Sequence, residues 1–390
     1  MSCAFPVQRL GDIAQSIDYG LTASAISENT GNKFLRITDI QDGAVDWSSV
    51  PFCDAAEAKL RSAILNDGDI VFARTGATTG KSFLIKDPPQ GAVFASYLIR
   101  VKPSRSVDAS FLAHFFQSSK YWGQIRLKTQ GAAQGGVNAT SLSGLEIPLP
   151  PLDEQQRIAA ILDKADALRR KRKRALELLG GLTQSVFLEM FGNPITNSMG
   201  WPTATLGSIC DVRDGTHESP KYVADGFPLL TSKNFSNGKI DFDGAKFISE
   251  NDYININRRS KVHKNDIVMP MIGTIGSPVL INREPNFAIK NVALFKFQKS
   301  KMVPEFVHAL LAGPLLLKKI SDASRGGTQK FLSLGDLRSL VVPLPPRHLQ
   351  ESFKKVDACN INLIINLDIE QLSLNELFIS LQRRAFSGQL

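Results

Sequence analysis

Apolar residues alternate strictly at spacings of three and four along one long stretch of the chain. They are Ile158, Ile161, Ala165, Leu168, Ala175, Leu179, Leu182 and Val186, and Arg172 is the one position of the series that is not apolar. A stripe of that period, kept over about four heptads, predicts a helix whose seam packs against another helix, as in a coiled coil. The helix would run roughly 35–40 residues, about 55 Å at 1.5 Å per residue. A second stripe follows near the end of the chain: Phe353, Val356, Asn360, Leu363, Leu367, Glu370, Leu374, Leu377 and Leu381. Asn360 and Glu370 fall at its seam positions, where a polar residue costs stability but specifies register and partner. The natural pairing is antiparallel and within one polypeptide, with pairing to a second chain as the alternative.

Both helices are launched in the same way. "PLPPLDEQQRI" covers 148–158 and "PLPPRHLQESF" covers 343–353. Prolines cannot continue a helix backwards, so each start is well punctuated. At the first, Asp153 is the expected N-cap, with Gln156 completing a capping box. The copies lie 195 positions apart, half of the 390 residues. The same shift pairs Gly43 with Gly238, Phe111 with Phe306, Gly131 with Gly326, Gln134 with Gln329 and Leu142 with Leu337. It drifts to 196 at "LGDI" (Leu10) and "LGSI" (Leu206), and to 197 at Asp69 and Asp266. Loop insertions in two divergent copies leave such drifts, and the period is too long for a solenoid.

The pattern between the stripes alternates strand and short-helix signals. "DGDIVFARTGATTGKSFLI" and "KNDIVMPMIGTIGSPVLI" read as strand, glycine-containing turn, strand. "SFLAHFFQSS" and "EFVHALLAGP" read as short core-facing helices, each followed by a glycine loop, "TQGAAQGGVN" and "ASRGGTQKFLS". The expected class is therefore α+β: two similar mixed α/β lobes and two long helices paired as an antiparallel coiled coil, with pseudo-two-fold symmetry inside one chain. The expected divisions are a first lobe over 1–152, a central helix over 153–192, a second lobe over 193–346 and a C-terminal helix over 347–390.

Composition narrows the function. An apolar fraction of 43% and a charged fraction of 21% are ordinary for a globular protein. No run approaches the ~20 apolar residues of a membrane span, and no signal peptide is evident, so the cytoplasm is the default location. Net charge is +9, distributed as +1 over 1–152, +2 over 153–192, +6 over 193–346 and zero over 347–390. That suits a polyanionic partner gripped unequally by the two lobes. The run "RRKRKR" (169–174) passes all round its helix. It is either a solvated coiled-coil surface or a contact for phosphates or an acidic partner.

No catalytic or metal constellation stands out. Cys3, Cys53, Cys210 and Cys359 are scattered, as are His114, His217, His263, His308 and His348. Reduced thiols are the simplest reading. "GATTGKS" is one residue short of a phosphate-binding P-loop. "DPPQ" (87–90) and "GNPI" (192–195) lack the aromatic of an amino-methyltransferase motif and read as turns. The glycine loops can bring backbone N–H groups to phosphates, and nearby side chains add donors for phosphates or base edges. Those donors are Gln130, Gln134, Arg325, Gln329 and Lys330.

Taken together, "IPLPPLDEQQRIAAILDKAD", the helix-ending "FLEMFGNP", "DGTHESPKYVADGFPLLTSKNF" and the terminal "RRAFSGQL" make the chain resemble the specificity subunits of type I restriction–modification systems. The second junction departs from the family string but keeps Gln350. The resemblance covers the whole chain. It implies two target-recognition domains reading a bipartite, asymmetric DNA sequence, with helices that set the spacer and dock two modification subunits. On that reading the candidate DNA contacts are Arg74, Thr75, Thr78, Thr79, Lys81, Gln130 and Gln134 in the first lobe, and Lys233, Thr274, Arg325, Thr328, Gln329 and Lys330 in the second. It also implies a non-catalytic chain without cofactor. S-adenosylmethionine would sit on the modification subunits, and ATP and magnesium on restriction subunits. The alternatives are a coiled-coil adaptor that binds only proteins and, more remotely, a self-contained methyltransferase. Salt titration separates DNA reader from adaptor: a DNA reader loses affinity for duplex DNA steeply as salt rises, whereas an adaptor shows no such binding to lose.

Overall fold

The structure, a computed structural model, describes all residues except 1–4, 42, 130–135, 237, 272–276 and 324–331. It divides into two compact units, residues 1–173 with 369–390, and residues 174–368. Two helices are long, a central one over Leu152–Phe191 and a C-terminal one over Arg347–Ala385. Each unit therefore contains one lobe, the start of the helix that follows it and the far end of the other helix.

Each lobe contains its own copy of the same sheet. In the first, Ala14–Tyr19, Leu98–Pro103, Ile70–Ala73 and Ser82–Leu84 form an antiparallel four-stranded sheet in that order. In the second, Asp211–Asp214, Val292–Lys296, Ile267–Pro270 and Val279–Leu280 repeat it. The third strand of each is buried along its whole length, as expected of a strand covered on both faces. Alternate side chains enter different cores. Ile70 and Phe72 pack with Leu112, Phe115 and Ile158, whereas Val71 packs with Leu65 and Phe94. Ile267 and Met269 join Phe187 and Phe306, whereas Val268 joins Leu230 and Phe287. A parallel pair repeats as well, Phe34–Leu35 with Val93–Phe94 and Leu229–Leu230 with Ala288–Ile289.

The signature acids ahead of the third strands are structural. Asp69 accepts from the backbone N–H of Asn66 at 2.9 Å, and Asp266 from that of His263 at 2.9 Å. Burial pushes the Asp69 carboxyl above its ordinary range, opposed by its hydrogen bond to Asn66 and the nearby Arg100.

At each junction the strand that carries the first proline pairs with the first strand of its lobe. Val7–Arg9 pairs with Glu146–Pro148, and Thr203–Thr205 with Val341–Pro343. A buried glutamine then locks the helix start. Gln155 accepts from the backbone N–H of Asp108 at 2.9 Å and donates to the Pro150 carbonyl at 2.8 Å. Gln350 accepts from the N–H of Val303 at 3.0 Å and donates to the Pro345 carbonyl at 2.8 Å. Asp108 and Val303 begin the short helices Ala109–Phe115 and Pro304–Ala312, so one amide ties two helix starts together. The capping box expected at Asp153 and Gln156 is not what forms. The central helix begins one residue earlier, with the Pro151 carbonyl accepting from the N–H groups of Glu154 and Gln155. Gln156 is exposed, because an orphaned N–H of the lobe helix captures Gln155 instead.

Within each unit the two long helices run antiparallel. In the first, Arg157 donates to the Leu390 carbonyl at 2.8 Å, Arg169 lies over the Phe378 ring at 4.2 Å, and Arg172 meets Glu370 at 2.7 Å. In the second, Asn360 donates to the Leu179 carbonyl at 3.3 Å and to the Thr183 hydroxyl at 2.9 Å. Thr183 in turn donates to Asp357 at 2.9 Å, and the Phe187 and Phe353 rings lie 5.7 Å apart. Arg169, Arg172 and Arg170, the last paired with Asp166 at 2.6 Å, are thus among the residues of the basic run with partners within the first unit.

The packed face differs from the expected stripe at alternate positions. Ile158, Ala165, Leu179, Phe353, Asn360 and Leu367 are buried or half-buried, and Ile161 is half-buried. Leu168, Leu182, Val356, Leu363 and Leu377 are instead exposed, by 39% to 56%. Between the shared positions the inward residues are Leu162, Arg169, Leu176 and Thr183 on one helix, and Asp357, Ile364, Gln371 and Phe378 on the other. The seam is partly polar and is held by specific hydrogen bonds and a cation–π contact, which apolar spacing cannot report. Burial pushes the Asp357 carboxyl above its ordinary range, against the lowering effect of the Thr183 hydroxyl.

Replacing Gln350 with alanine leaves the Val303 N–H and the Pro345 carbonyl without their partner. A buried unsatisfied group costs about 1–3 kcal/mol. Thermal unfolding of Gln350→Ala is therefore expected several degrees below wild type, and an unchanged midpoint would remove the latch from this account.

Candidate nucleic-acid interface

Arg74, Thr75, Thr78, Thr79 and Lys81 share one turn, between the strands Ile70–Ala73 and Ser82–Leu84. The turn is pinned from below. Gly80 takes φ 81°, a left-handed conformation that glycine reaches without strain, and its carbonyl accepts from the buried Tyr121 hydroxyl at 2.5 Å. Burial raises the pKa of that hydroxyl, so it stays a donor. Thr79 bonds the Gly76 carbonyl at 2.7 Å, so its hydroxyl serves the turn. Arg74, Thr75 and Lys81 are exposed, while Thr78 and Thr79 are half-buried. Among the described residues, no carboxylate pairs with Arg74 or Lys81. The Arg74 guanidinium lies over the Tyr19 ring at 5.0 Å, and its backbone N–H donates to the Tyr97 carbonyl at 3.0 Å.

The matching turn of the second lobe, with Thr274, lies outside the described residues, as do Gln130, Gln134, Arg325, Thr328, Gln329 and Lys330. Lys233 is exposed on the separate short turn Ser232–Asn234. "DPPQ" is a turn in which Asp87 takes φ 46° and donates its N–H to Asp67.

A cluster that sequence reasoning missed lies at the end of the first sheet strand. In the second lobe, Asp214 is 5% exposed and accepts from Arg259 at 2.6 Å. Its other oxygen lies 2.6 Å from Nε2 of His217, whose Nδ1 lies 2.7 Å from Oδ1 of Asn291. Asn291 takes φ 55°. His217 and Arg259 edge a cavity of about 450 Å³ that Glu218, Asp252 and Asn255 also line. In the first lobe the same corner carries Tyr19, with Tyr97 beside it, 67% exposed. No motif announces these residues. Asp214 and Arg259 lie 45 positions apart, and only the fold joins them.

The arrangement offers exposed cations, amides and aromatics on a rigid sheet edge, which suits contact with a polyanion and its bases. Among the described residues no group of three or more His, Cys, Asp or Glu is placed to hold a metal ion, and no helix is long and apolar enough to cross a membrane.

Comparison with known proteins agrees with this architecture. The putative type I restriction enzyme MjaX specificity subunit of Methanocaldococcus jannaschii is 26% identical over 369 residues, covering 90% of this chain and 85% of that protein. The EcoKI specificity subunit of Escherichia coli is 24% identical over 390 residues, covering 91% and 82%. The solved type I restriction–modification S subunit of M. genitalium matches with a TM-score of 0.59 at 16% identity, covering 98% of this chain and 96% of that one. A chain solved in work on complex assembly and conformational transition of a type I R-M system matches with a TM-score of 0.60 at 18% identity, covering 99% and 98%. At these identities the structural likenesses speak for the fold. The family described as type I restriction modification DNA specificity domain matches twice, over residues 5–178 and 199–375. With both halves matched, the chain belongs to that family and is a specificity subunit of a type I restriction–modification system.

Proposed function

We propose that each lobe is a target-recognition domain, 1–152 for one half and 193–346 for the other half of a bipartite, asymmetric duplex sequence. The helices over 153–192 and 347–390 set the gap between the halves. The observation that supports this best is the repeated sheet carrying unlike surface residues, in a chain whose family match is also doubled. One frame decorated in two ways suits two different half-sites. Reading modules held on one face of a duplex favour separations near a helical turn of roughly 34 Å, or multiples of it. Arg74, Thr75, Thr78, Thr79, Lys81 and Lys233 are proposed DNA contacts, as are Gln130, Gln134, Thr274, Arg325, Thr328, Gln329 and Lys330 in the glycine-rich loops and turns.

The helices have a second proposed task. The apolar residues left outside the seam, among them Leu168, Leu182, Val356, Leu363 and Leu377, are exposed. Exposed apolar surface of that extent suits a protein partner. In this reading two modification subunits dock there and bring S-adenosylmethionine and adenine methylation. Restriction subunits add ATP- and magnesium-dependent translocation and cleavage. The assembly works in the cytoplasm.

Two experiments test the division of labour, each read by methylome sequencing of cells that carry the complete system. Exchanging lobe 193–346 for that of another system is expected to change one half-site only; a change in both halves would contradict independent reading. Inserting or deleting seven residues between Ile158 and Val186 is expected to alter the spacer or abolish methylation. An unchanged spacer would sink the ruler.

A further inference from the structure

The corner at the end of the first sheet strand is built alike in both lobes and decorated differently. Its backbone is held by matching hydrogen bonds. Leu21 N–H donates to the Phe94 carbonyl and Ser96 N–H to that of Leu21; Thr216 N–H donates to the Ile289 carbonyl and Asn291 N–H to that of Thr216. The strand before it is pressed onto its neighbour through a glycine in each lobe. A Cβ on Gly20 would lie 2.3 Å from the Phe94 carbonyl oxygen, and one on Gly215 would lie 2.4 Å from that of Ile289. The sheet then resumes at Leu98 and at Val292, whose carbonyls accept from Gly20 and Gly215. The first lobe therefore has one extra residue in the connection, and that residue is the exposed Tyr97.

On this common frame, the first lobe carries Tyr19, Arg74 and Tyr97, and the second carries His217, Arg259 and Asn291. We propose that these six side chains read base pairs, three for each half-site, and that the corner is the specificity-determining element of both lobes. The inference rests on the DNA-specificity reading above and adds where that specificity is encoded.

Four observations carry it. Arg74, Arg259 and His217 are exposed yet fixed by packing or hydrogen bonds, Arg74 over Tyr19 and the other two on the buried Asp214, while the half-buried Asn291 is held by His217 and Tyr97 stands exposed. A reading site needs such preorganisation on rigid elements. Asp214 occupies one edge of Arg259, and the guanidinium keeps further N–H groups for a ligand. Arginine forks and asparagine amides are the side chains that pair two-pronged with base edges in the major groove. The cavity wall also presents Glu218, an acceptor suited to the cytosine amino group but ill suited to a bare phosphate. Finally, the frame shows what a merely structural arginine does here. Arg100 donates to the carbonyls of Ser62 and Ile64, and Arg213 to that of Arg259, each at the C-terminal end of a helix. Arg100 is buried by that work, whereas the Arg259 side chain is 70% exposed.

The test uses the whole chain assembled with its modification subunits. Methylome sequencing of the wild-type system first defines the motif. Competition binding then compares the cognate duplex with duplexes changed one base pair at a time. Wild type is expected to discriminate by about tenfold or more at each specified pair. Arg259→Ala should lose discrimination at one or two pairs of one half-site, and Tyr97→Ala at pairs of the other half-site. Arg259→Lys keeps the charge and the Asp214 partner but not the planar fork. It should lose discrimination while leaving salt dependence unchanged, and it decides the matter should Arg259→Ala unfold its unit. Equal weakening on every duplex, or unchanged discrimination in these variants, would overturn the proposal while the wild-type motif stands. A wild-type system with no bipartite motif would overturn the DNA-specificity reading, and the corner with it.

Discussion

A single buried amide at each junction sets how a lobe joins its helix. Gln155 and Gln350 each bridge a proline carbonyl of the extended segment to the N–H of the residue that caps the short core helix. The prolines make this bridge necessary. They cannot donate, they stop the helix from extending backwards, and they leave carbonyls facing the interior. A carboxamide accepts from an N–H at its oxygen and donates to a carbonyl from its nitrogen at once, on a side chain long enough to reach both. The arrangement explains why the divergent second junction retains Gln350 while losing the acidic and second glutamine residues around it. Asp153 and Gln156 are exposed and Glu154 is half-buried, whereas Gln155 and Gln350 are 1% and 2% exposed.

From these two fixed starts the helices meet along a seam that is unusually polar. Asp357, Asn360 and Thr183 form a connected chain of hydrogen bonds, and Asp166 sits at the foot of Arg169 and Arg170. Such groups stabilise less than leucines would, and their directional bonds specify one register. Alternate members of the apolar stripe, Leu168, Leu182, Val356, Leu363 and Leu377, are displaced to the outside, while Ile158, Leu179 and Phe353 stay in the seam. Polar groups inside and leucines outside are therefore two consequences of one choice of packing face.

The lobes show a comparable separation of tasks. Their buried strands, parallel pairs and proline-bearing edges repeat closely, and their surfaces do not. The helix that lies in the chain between the two strands of the parallel pair illustrates it, with six residues in the first lobe, Glu57–Ser62, and eleven in the second, Glu250–Ser260. The longer helix is what brings Arg259 to Asp214. The frame accommodates a longer helix or an added tyrosine while its buried strands repeat.

Much of this was legible in the chain itself. The 195-residue repeat, the two proline junctions and the long periodic stretches determined a duplicated α+β architecture with two helices, because periodicity and proline chemistry act over short distances along the sequence. The strand–turn–strand segments were equally plain, since buried strands are written as continuous apolar runs. The face of each helix that packs was not legible. Apolar spacing chose Leu168, Leu182, Val356, Leu363 and Leu377, and the fold chose Arg169, Thr183, Asp357 and Phe378, because hydrogen bonds between distant residues outweighed one more apolar contact. The Gln155 latch and the corner of Asp214, His217, Arg259 and Asn291 were hidden for the same reason. The sequence alone determined what kind of elements there are and that they occur twice. Only the tertiary structure decided which side chains face one another, since that depends on partners dozens to hundreds of positions away.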